Sequence, residues 1–324
     1  MAGAAANRLM VMMALLPPLA MLLALLIDRL FGEPPRWAHP VVAIGRYLDA
    51  LGQRLLALPP SAALLGGALA WLLGALLTVA LALALEIALI AGLQPWASPA
   101  ALLGCAALLG LLLKPLLAWR MLADEVLAVE ARLALSLEQG RAQLARLVSR
   151  DTAALDETAL REAAIETLAE NLNDSVVAPL CWFAIAGLPG AALYRFANTA
   201  DAMWGYRGRW EWAGKFAARA DDLLSWIPAR ITALALLGLR PRLLAPLVRE
   251  ARRTPSPNSG WPMAAMALRL GVRLAKPGVY ALNTGGAQVQ AAQIARAHAL
   301  ALRALLASAG WLALAAWALR GGGL

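Results

Sequence analysis

The sequence predicts an all-α fold: a polytopic integral membrane protein built of helices, with a helical catalytic region facing the cytoplasm. Three observations carry that expectation. The chain of 324 residues is 61% hydrophobic, where soluble domains average about 45–50%, and its mean hydropathy is +0.65. The surplus is Leu and Ala, gathered in blocks near the ~20 residues that a helix needs to cross a bilayer. Trp outnumbers the other aromatics, 12 against 4 Tyr and 4 Phe. Trp favours the membrane–water boundary because its ring is apolar while its N–H stays wet.

The spans follow in order. Residues 9–27 form the first, interrupted by Pro17 and Pro18. A signal peptide with Arg8 as its charged flank is the rival reading. No small-x-small cleavage site follows, and the chain runs on into Asp28-Arg29-Leu30-Phe31-Gly32, so an uncleaved span is expected. Residues 64–91 form the second span, with Glu86 as the one charge read inside a span. Residues 99–117 form the third and residues 300–319 the last, which starts near Arg303. The loop at 28–60 carries Arg29, Arg36, Arg46 and Arg54, whereas 92–98 carries no Lys or Arg. Basic loops stay on the cytoplasmic side, so 28–60 is placed inside and 92–98 outside. Three regions result: 1–119 with three spans, 120–299 polar and cytoplasm-facing, and 300–324 with the C-terminal span. Within the middle region, 176–193 contains Pro179, Gly187, Pro189 and Gly190, and 227–248 contains Arg230, Arg240 and Arg242. If one alone crossed, a basic block would land outside. Both are therefore expected to be buried or re-entrant, which is tolerated at membrane depth where protein or a cavity covers the backbone.

The polar region is read for chemistry. Residues 120–148 form an amphipathic helix, with Leu122, Val126, Val129, Leu133 and Leu137 at steps of three and four. A loop at 149–152 precedes a second helix from about Glu157. On it Glu162, Glu166, Glu170 and Asp174 are spaced by four and line one side. Like charges at that spacing oppose helix formation by roughly 0.2–0.5 kcal/mol per pair, and only Arg161 is near. Such a row points to a missing cation, either Mg²⁺ or bound ligand groups; a solvated acidic face is the alternative. Asn171 and Asn173 add neutral oxygens in the same turn. Asn198 and Asp201 share a helical face. The run 203–212 is a Gly-broken loop dense in Trp and Arg, suited to a flat or anionic ligand or to a membrane surface. Lys215, Arg219, Asp222, Trp226 and Arg230 continue one stripe at steps of four, three, four and four. Lys215 and Arg219 suit phosphate oxygens, and Asp222 suits an Arg or a metal; an intrahelical ladder of ion pairs is the alternative. The segment 254–262, which contains Asn258 and Trp261, holds three prolines and is expected to be neither helix nor strand.

Several function classes are excluded. The two cysteines, Cys105 and Cys181, each lie in an apolar run, and there are only two histidines, so no disulfide framework or His-based metal site is expected. The net charge is +9, but the basic residues are scattered, which disfavours nucleic acid. No P-loop, GxGxxG, G-x-S-x-G or HExxH occurs.

Five ordered motifs resemble the CobD/CbiB family. They are Asp28 with Gly32-Glu33-Pro34-Pro35 and His39-Pro40-Val41; the run from Glu166-Thr167-Leu168-Ala169-Glu170-Asn171 through Asp174 to Ala178-Pro179; Asn198-Thr199-Ala200-Asp201-Ala202-Met203-Trp204-Gly205-Tyr206; Asp221-Asp222 with Pro228-Ala229-Arg230; and Pro255-Ser256-Pro257-Asn258-Ser259-Gly260-Trp261-Pro262-Met263. Glu33 stands where that family usually has Asp, Ser175 replaces a common Gly, and 275–283 departs from the family's Gly- and Tyr-rich stretch. The resemblance implies an adenosylcobinamide-phosphate synthase of cobalamin biosynthesis. That is an acid–amine ligase joining adenosylcobyric acid to aminopropanol phosphate, or a related amino-alcohol phosphate, at the expense of ATP with Mg²⁺. It implies catalytic roles for Glu166, Glu170, Asp174, Asp201 and Asp222, with Mg²⁺ held by Glu166, Glu170 and Asp174. Binding roles follow for Asp28, His39, Asn171, Asn198, Lys215, Arg219, Arg230, Asn258 and Trp261. Corrinoid, amino-alcohol phosphate, the lipid bilayer and other late-pathway membrane enzymes are the implied partners, at the cell inner membrane. An AmpE-like regulatory membrane protein, without ligase activity, is the alternative.

Overall fold

The computed structural model describes residues 2–93 and 98–321. In chain order the helices are α1 (Ala2–Phe31), α2 (Pro40–Leu55), α3 (Pro60–Leu93), α4 (Pro99–Leu113), α5 (Trp119–Leu133), α6 (Leu137–Leu144), α7 (Glu157–Leu172), α8 (Ala178–Trp204), α9 (Lys215–Leu224), α10 (Trp226–Leu237), α11 (Leu244–Ala251), α12 (Gly260–Leu270) and α13 (Ala291–Gly321). A π-turn, Asn173–Val177, joins α7 to α8. Strands β1 (Leu274–Lys276) and β2 (Tyr280–Leu282) pair antiparallel. Among the described residues five segments are long and apolar enough to cross a membrane: Met10–Phe31, Pro60–Gly92, Pro99–Leu116, Glu157–Trp204 and Ala291–Gly321. The all-α membrane class expected from the sequence stands.

The chain divides into two compact units, each assembled from separate stretches. The first takes Met1–Ala118, Ala178–Leu224 and Ala309–Leu324; the second takes Trp119–Val177 and Ser225–Ser308. In the first unit α1 packs on α4, where a side chain at Gly110 would meet Ala20 O at 3.0 Å. Small residues let backbones approach this closely, and in lipid such packing is what holds helices together. A second core forms where α2 and α3 meet α8 and α9, around Leu48, Trp71, Phe196 and Trp204. The ring of Trp71 meets Phe196 edge-on at 5.7 Å. In the second unit α7 is buried among α5, α12 and β1.

Several expectations change. Residues 28–60 are not simply a loop. Pro40–Leu55 is an amphipathic helix that buries Ile44, Leu48 and Leu55, and the period was present in the sequence. The helix expected over 120–148 is two helices, because Ser136 accepts from Gln139 N at 3.2 Å and starts a new one. The stripe from Lys215 to Arg230 is not carried by one helix, because the chain breaks at Ser225 between α9 and α10. Residues 227–248 are likewise α10, a turn at Gly238 and α11; α10 is 12 residues long and too short to span. Trp261 and Pro262 lie in the first turn of α12, where a proline's missing N–H would be unpaired anyway. The segment 176–193 falls in a helix long enough to cross, giving five such segments rather than four. That helix is kinked at Ala186 and Gly187 and mostly buried. The loop read at 92–98 falls largely outside the described residues.

The kink requires its glycine. Gly187 has φ +68° and ψ −156°, a region essentially closed to other residues. A side chain there would also lie 2.5 Å from Glu86 Oε2, the carboxylate that accepts from Leu188 N at 2.7 Å. Gly187→Ala should therefore lower stability by about 1–3 kcal/mol, read as a reduced melting temperature of the detergent-solubilised protein.

Candidate active site

The second unit holds a buried acidic centre on α7. Asp156 caps the helix, accepting from Ala159 N at 2.8 Å. Glu162 and Glu166 are each 4% exposed. Glu162 Oε2 accepts from Ala275 N of β1 at 2.9 Å, tying the hairpin to the helix. Glu166 Oε2 accepts from Arg150 Nη2 at 3.2 Å. The loop that carries Arg150 is itself pinned, since Arg141 Nε donates to Leu155 O at 2.8 Å and Thr152 Oγ1 donates to Arg141 O at 3.2 Å. Tyr280 of β2 stands beside the Glu166 carboxylate, and its hydroxyl donates to Met263 Sδ at 3.6 Å. Burial pushes the Tyr280 phenol well above its usual range, and the Glu166 and Glu170 carboxylates add to the effect.

The π-turn follows directly. Asn173 Nδ2 donates to Asp174 Oδ1 at 2.7 Å, and Asn173 Oδ1 accepts from Thr232 Oγ1 at 3.0 Å. A turn of this kind is rare and recurs at functional sites. Asp174 lies within this turn, just beyond the helix that carries Glu162, Glu166 and Glu170. Among the described residues no three His, Cys, Asp or Glu side chains gather as metal ligands. The row is therefore not a closed cage. Its cationic neighbours include Arg150 at Glu166 and Arg273 near Glu162; Arg161 is turned to Glu130 and Glu157 instead.

Arg230 is held by the protein on every side. Its Nη1 donates to Asn258 Oδ1 at 2.6 Å and to Trp226 O at 2.8 Å, and its Nη2 donates to Pro257 O at 3.1 Å. The guanidinium lies between the rings of Trp226 and Trp261, 4.5 and 4.6 Å from their centroids. Burial lowers its pKa. This arrangement fastens the 254–259 loop to α10, so the residue read as a phosphate holder serves first as a clamp.

The first unit holds a second charged centre. Asp28 is fully buried and Lys114 is 4% exposed. Lys114 Nζ lies 3.5 Å from Asp28 Oδ1 and 3.2 Å from Glu33 Oε2. Glu33 Oε2 is also 2.9 Å from His39 Nε2. His39 Nδ1 accepts from Val41 N at 3.2 Å, capping α2, so Nε2 carries the proton given to Glu33. Burial would raise the Glu33 pKa, but the His39 hydrogen bond and the Lys114 charge outweigh it and hold the carboxyl below its ordinary value. Elsewhere in this unit, Asn198 and Asp201 lie half-buried on α8. Lys215 is exposed over the Trp212 ring at 4.9 Å, and exposed Arg219 pairs with Asp222 at 3.8 Å. Burial raises the Asp222 pKa, with Arg219 opposing.

Within the second unit Glu166 joins Arg150 and Tyr280, and Arg230 joins Asn258 and Trp261. Within the first, Asp28 and His39 meet through Glu33 and Lys114. Three of these residues had no role in the sequence reading. Lys114 has a signal in the sequence, as a lone lysine at the end of an apolar span, where a charge is costly and marks function. Arg150 was one basic residue among many, and Tyr280 sat in the segment that departs from the family pattern.

Five long apolar helical segments among the described residues define a multi-pass helical membrane protein. The chain belongs to the CobD/CbiB family: the family model described as CobD/Cbib protein matches residues 21–305. It is 43% identical over 259 residues to the probable cobalamin biosynthesis protein CobD of Pyrococcus furiosus, covering 80% of this chain and 85% of that protein. It is 43% identical over 271 residues to its probable counterpart in Methanothermobacter thermautotrophicus, at 81% and 86% coverage. It is 43% identical over 261 residues to the cobalamin biosynthesis protein CobD of Stutzerimonas stutzeri, at 79% and 82% coverage. No solved structure matches it.

The Lys114 centre makes two predictions. Lys114→Met removes the cation that faces the buried Asp28 and the half-buried Glu33 and should cost about 3–5 kcal/mol, whereas adding Asp28→Asn should recover part of the loss in the same thermal assay. The pH dependence has a definite sign. A carboxyl held below its ordinary 4.5 binds fewer protons folded than unfolded, so its contribution is present at neutral pH and is lost as pH falls through that region. Glu33→Gln should flatten the acid limb of stability against pH.

Proposed function

We propose that this chain is an adenosylcobinamide-phosphate synthase. It joins a carboxylate of adenosylcobyric acid to the amine of aminopropanol phosphate, or of a related amino-alcohol phosphate, with ATP driving the reaction. The observation that carries the reading is the Glu166 carboxylate, buried against Arg150 within the motif that resembles the family's longest signature. An amine must lose a proton to attack an acyl carbon, and a buried carboxylate held by a single cation suits that task. The relatives are named for cobalamin biosynthesis, which favours the ligase over an AmpE-like regulator. The loops rich in Arg support a cytoplasm-facing active region, on the side where ATP is available.

Mg²⁺ ordinarily takes one or two protein carboxylates and completes its octahedron with water and substrate phosphates. Glu170 and Asp174, both half-buried on and just beyond α7, fit that share without a cage, whereas Glu166 is occupied by Arg150. When bound with the nucleotide, the ion would offset the charge of the triphosphate. Lys215 and Arg219 on α9 are exposed cations suited to phosphate oxygens, and Asp222 orients Arg219. In the second unit Asn171 supplies a polar contact to substrate, and Trp261 and Asn258, set by Arg230, hold their loop in one conformation; in the first unit Asn198 and Asp201 are polar groups of α8 suited to the same kind of contact.

The test is direct. Purified protein supplied with adenosylcobyric acid, the amino-alcohol phosphate, ATP and Mg²⁺ should release the amide product and consume nucleotide stoichiometrically. Glu170→Gln and Asp174→Asn should each raise the Mg²⁺ concentration needed for half-maximal rate. Unchanged Mg²⁺ dependence in both variants would remove the metal role.

A further inference from the structure

An arginine facing a carboxylate commonly closes two parallel hydrogen bonds, because the guanidinium fork matches the two oxygens. Arg161 does this with Glu130, at 2.7 and 3.0 Å. Arg150 does not. Its Nη2 reaches Glu166 Oε2 at 3.2 Å. Its Nη1 and the Glu166 Oε1 are both buried and neither closes a hydrogen bond of good geometry among the described residues; the Tyr280 hydroxyl is the one further side-chain donor that acts on the Glu166 carboxylate. A buried polar atom left unmet costs about 1–3 kcal/mol, and more when charged. The loop hydrogen bonds that pin Arg150, and the Tyr280 hydroxyl beside Glu166, hold the pair in this incomplete geometry. One unmet cationic donor therefore stands on the same ion pair as one unmet anionic acceptor. A ligand that answers both carries an acceptor oxygen and an N–H on one carbon, which is the pattern of an amide.

We propose that Arg150 and Glu166 grip the amide as it forms, with Arg150 Nη1 on the acyl oxygen and Glu166 Oε1 on the N–H of the attacking amine. This rests on the ligase reading above and assigns the chemical step to two atoms. The carboxyl substrate arrives activated as a mixed anhydride with phosphate derived from the nucleoside triphosphate. The amine nitrogen attacks the acyl carbon and a C–N bond forms. Negative charge gathers on the acyl oxygen against Arg150, while the amine proton passes to Glu166. The carbonyl then re-forms, the C–O bond to phosphate breaks, and its electron pair departs with the phosphate. Arg150 is thus a catalytic residue, and Tyr280 is a positioning residue for Glu166.

The full-length enzyme in detergent tests this with two conservative variants and two nucleophiles. Arg150→Lys keeps the charge but loses the fork. It should lower kcat by about 10²–10³-fold, the effect of removing one oxyanion donor, with little change in KM for the corrinoid acid. Glu166→Gln should lower kcat by about 10²-fold or more with the amino-alcohol phosphate. It should retain most activity with hydroxylamine, which is already largely unprotonated at neutral pH and needs no base. A kcat for Arg150→Lys within a few-fold of wild type would overturn the proposal. So would a Glu166→Gln defect equal for both nucleophiles, since a purely structural role would impair them alike. If the wild-type protein forms no amide from either nucleophile, the ligase reading itself fails and this assignment fails with it.

Discussion

An ion moved out of water and left unpaired costs several kcal/mol, and this chain buries ions in both of its units. Lys114 is sequestered against Asp28 and Glu33 and Glu166 against Arg150, while the half-buried Arg230 lies between two indole rings. The surrounding helices have to hold each partner in place, because any slip leaves a charge alone in a low-dielectric interior. That requirement accounts for features that look incidental one at a time. His39 caps α2 while donating to Glu33, so one residue fixes both the helix start and the ion cluster. Glu162 spends its carboxylate on the backbone of β1, which brings Tyr280 to its neighbour Glu166.

The three centres are not equally satisfied, and the difference separates scaffold from chemistry. Arg230 spends its donors on Asn258, Trp226 and Pro257, and both of its faces are covered. Such a group has little left for a ligand and serves as a fastener. Glu166 and Arg150 are the opposite case, each keeping one buried atom unmet. Evolution tolerates unmet buried polar atoms chiefly where function needs them. The π-turn immediately after α7 belongs with that centre. Within it Asn173 bonds both Asp174 and Thr232, so the motif ties the end of α7 to α10.

Much of this was legible in the sequence. The apolar blocks announced the spans, and four of the five long apolar segments coincide with them. The carboxylates at every fourth position announced an acidic helix face beginning near Glu157, and α7 starts there. Breaks were harder to read. The chain breaks at Ser136 and at Ser225 although the apolar or polar period runs on without interruption; at Ser136 a cap costs one residue and leaves the period intact. Pro262 looked like a helix breaker and proved to be part of a helix start, since a proline's effect depends on its place in the turn.

The sequence by itself determined the class of protein, the order of its spans and the stretches that carry polar chemistry, because hydropathy and periodicity are local properties of the chain. Only the tertiary structure decided which charges meet. Arg150 lies 16 residues from Glu166 and Tyr280 lies over a hundred from it. Lys114 pairs with Asp28 across three intervening helices in the chain. A row of acidic residues reads the same whether its counter-ion is a metal, a ligand or an arginine from a distant loop. The choice among them is made by packing, which brings a particular cation within reach and leaves a particular oxygen without one.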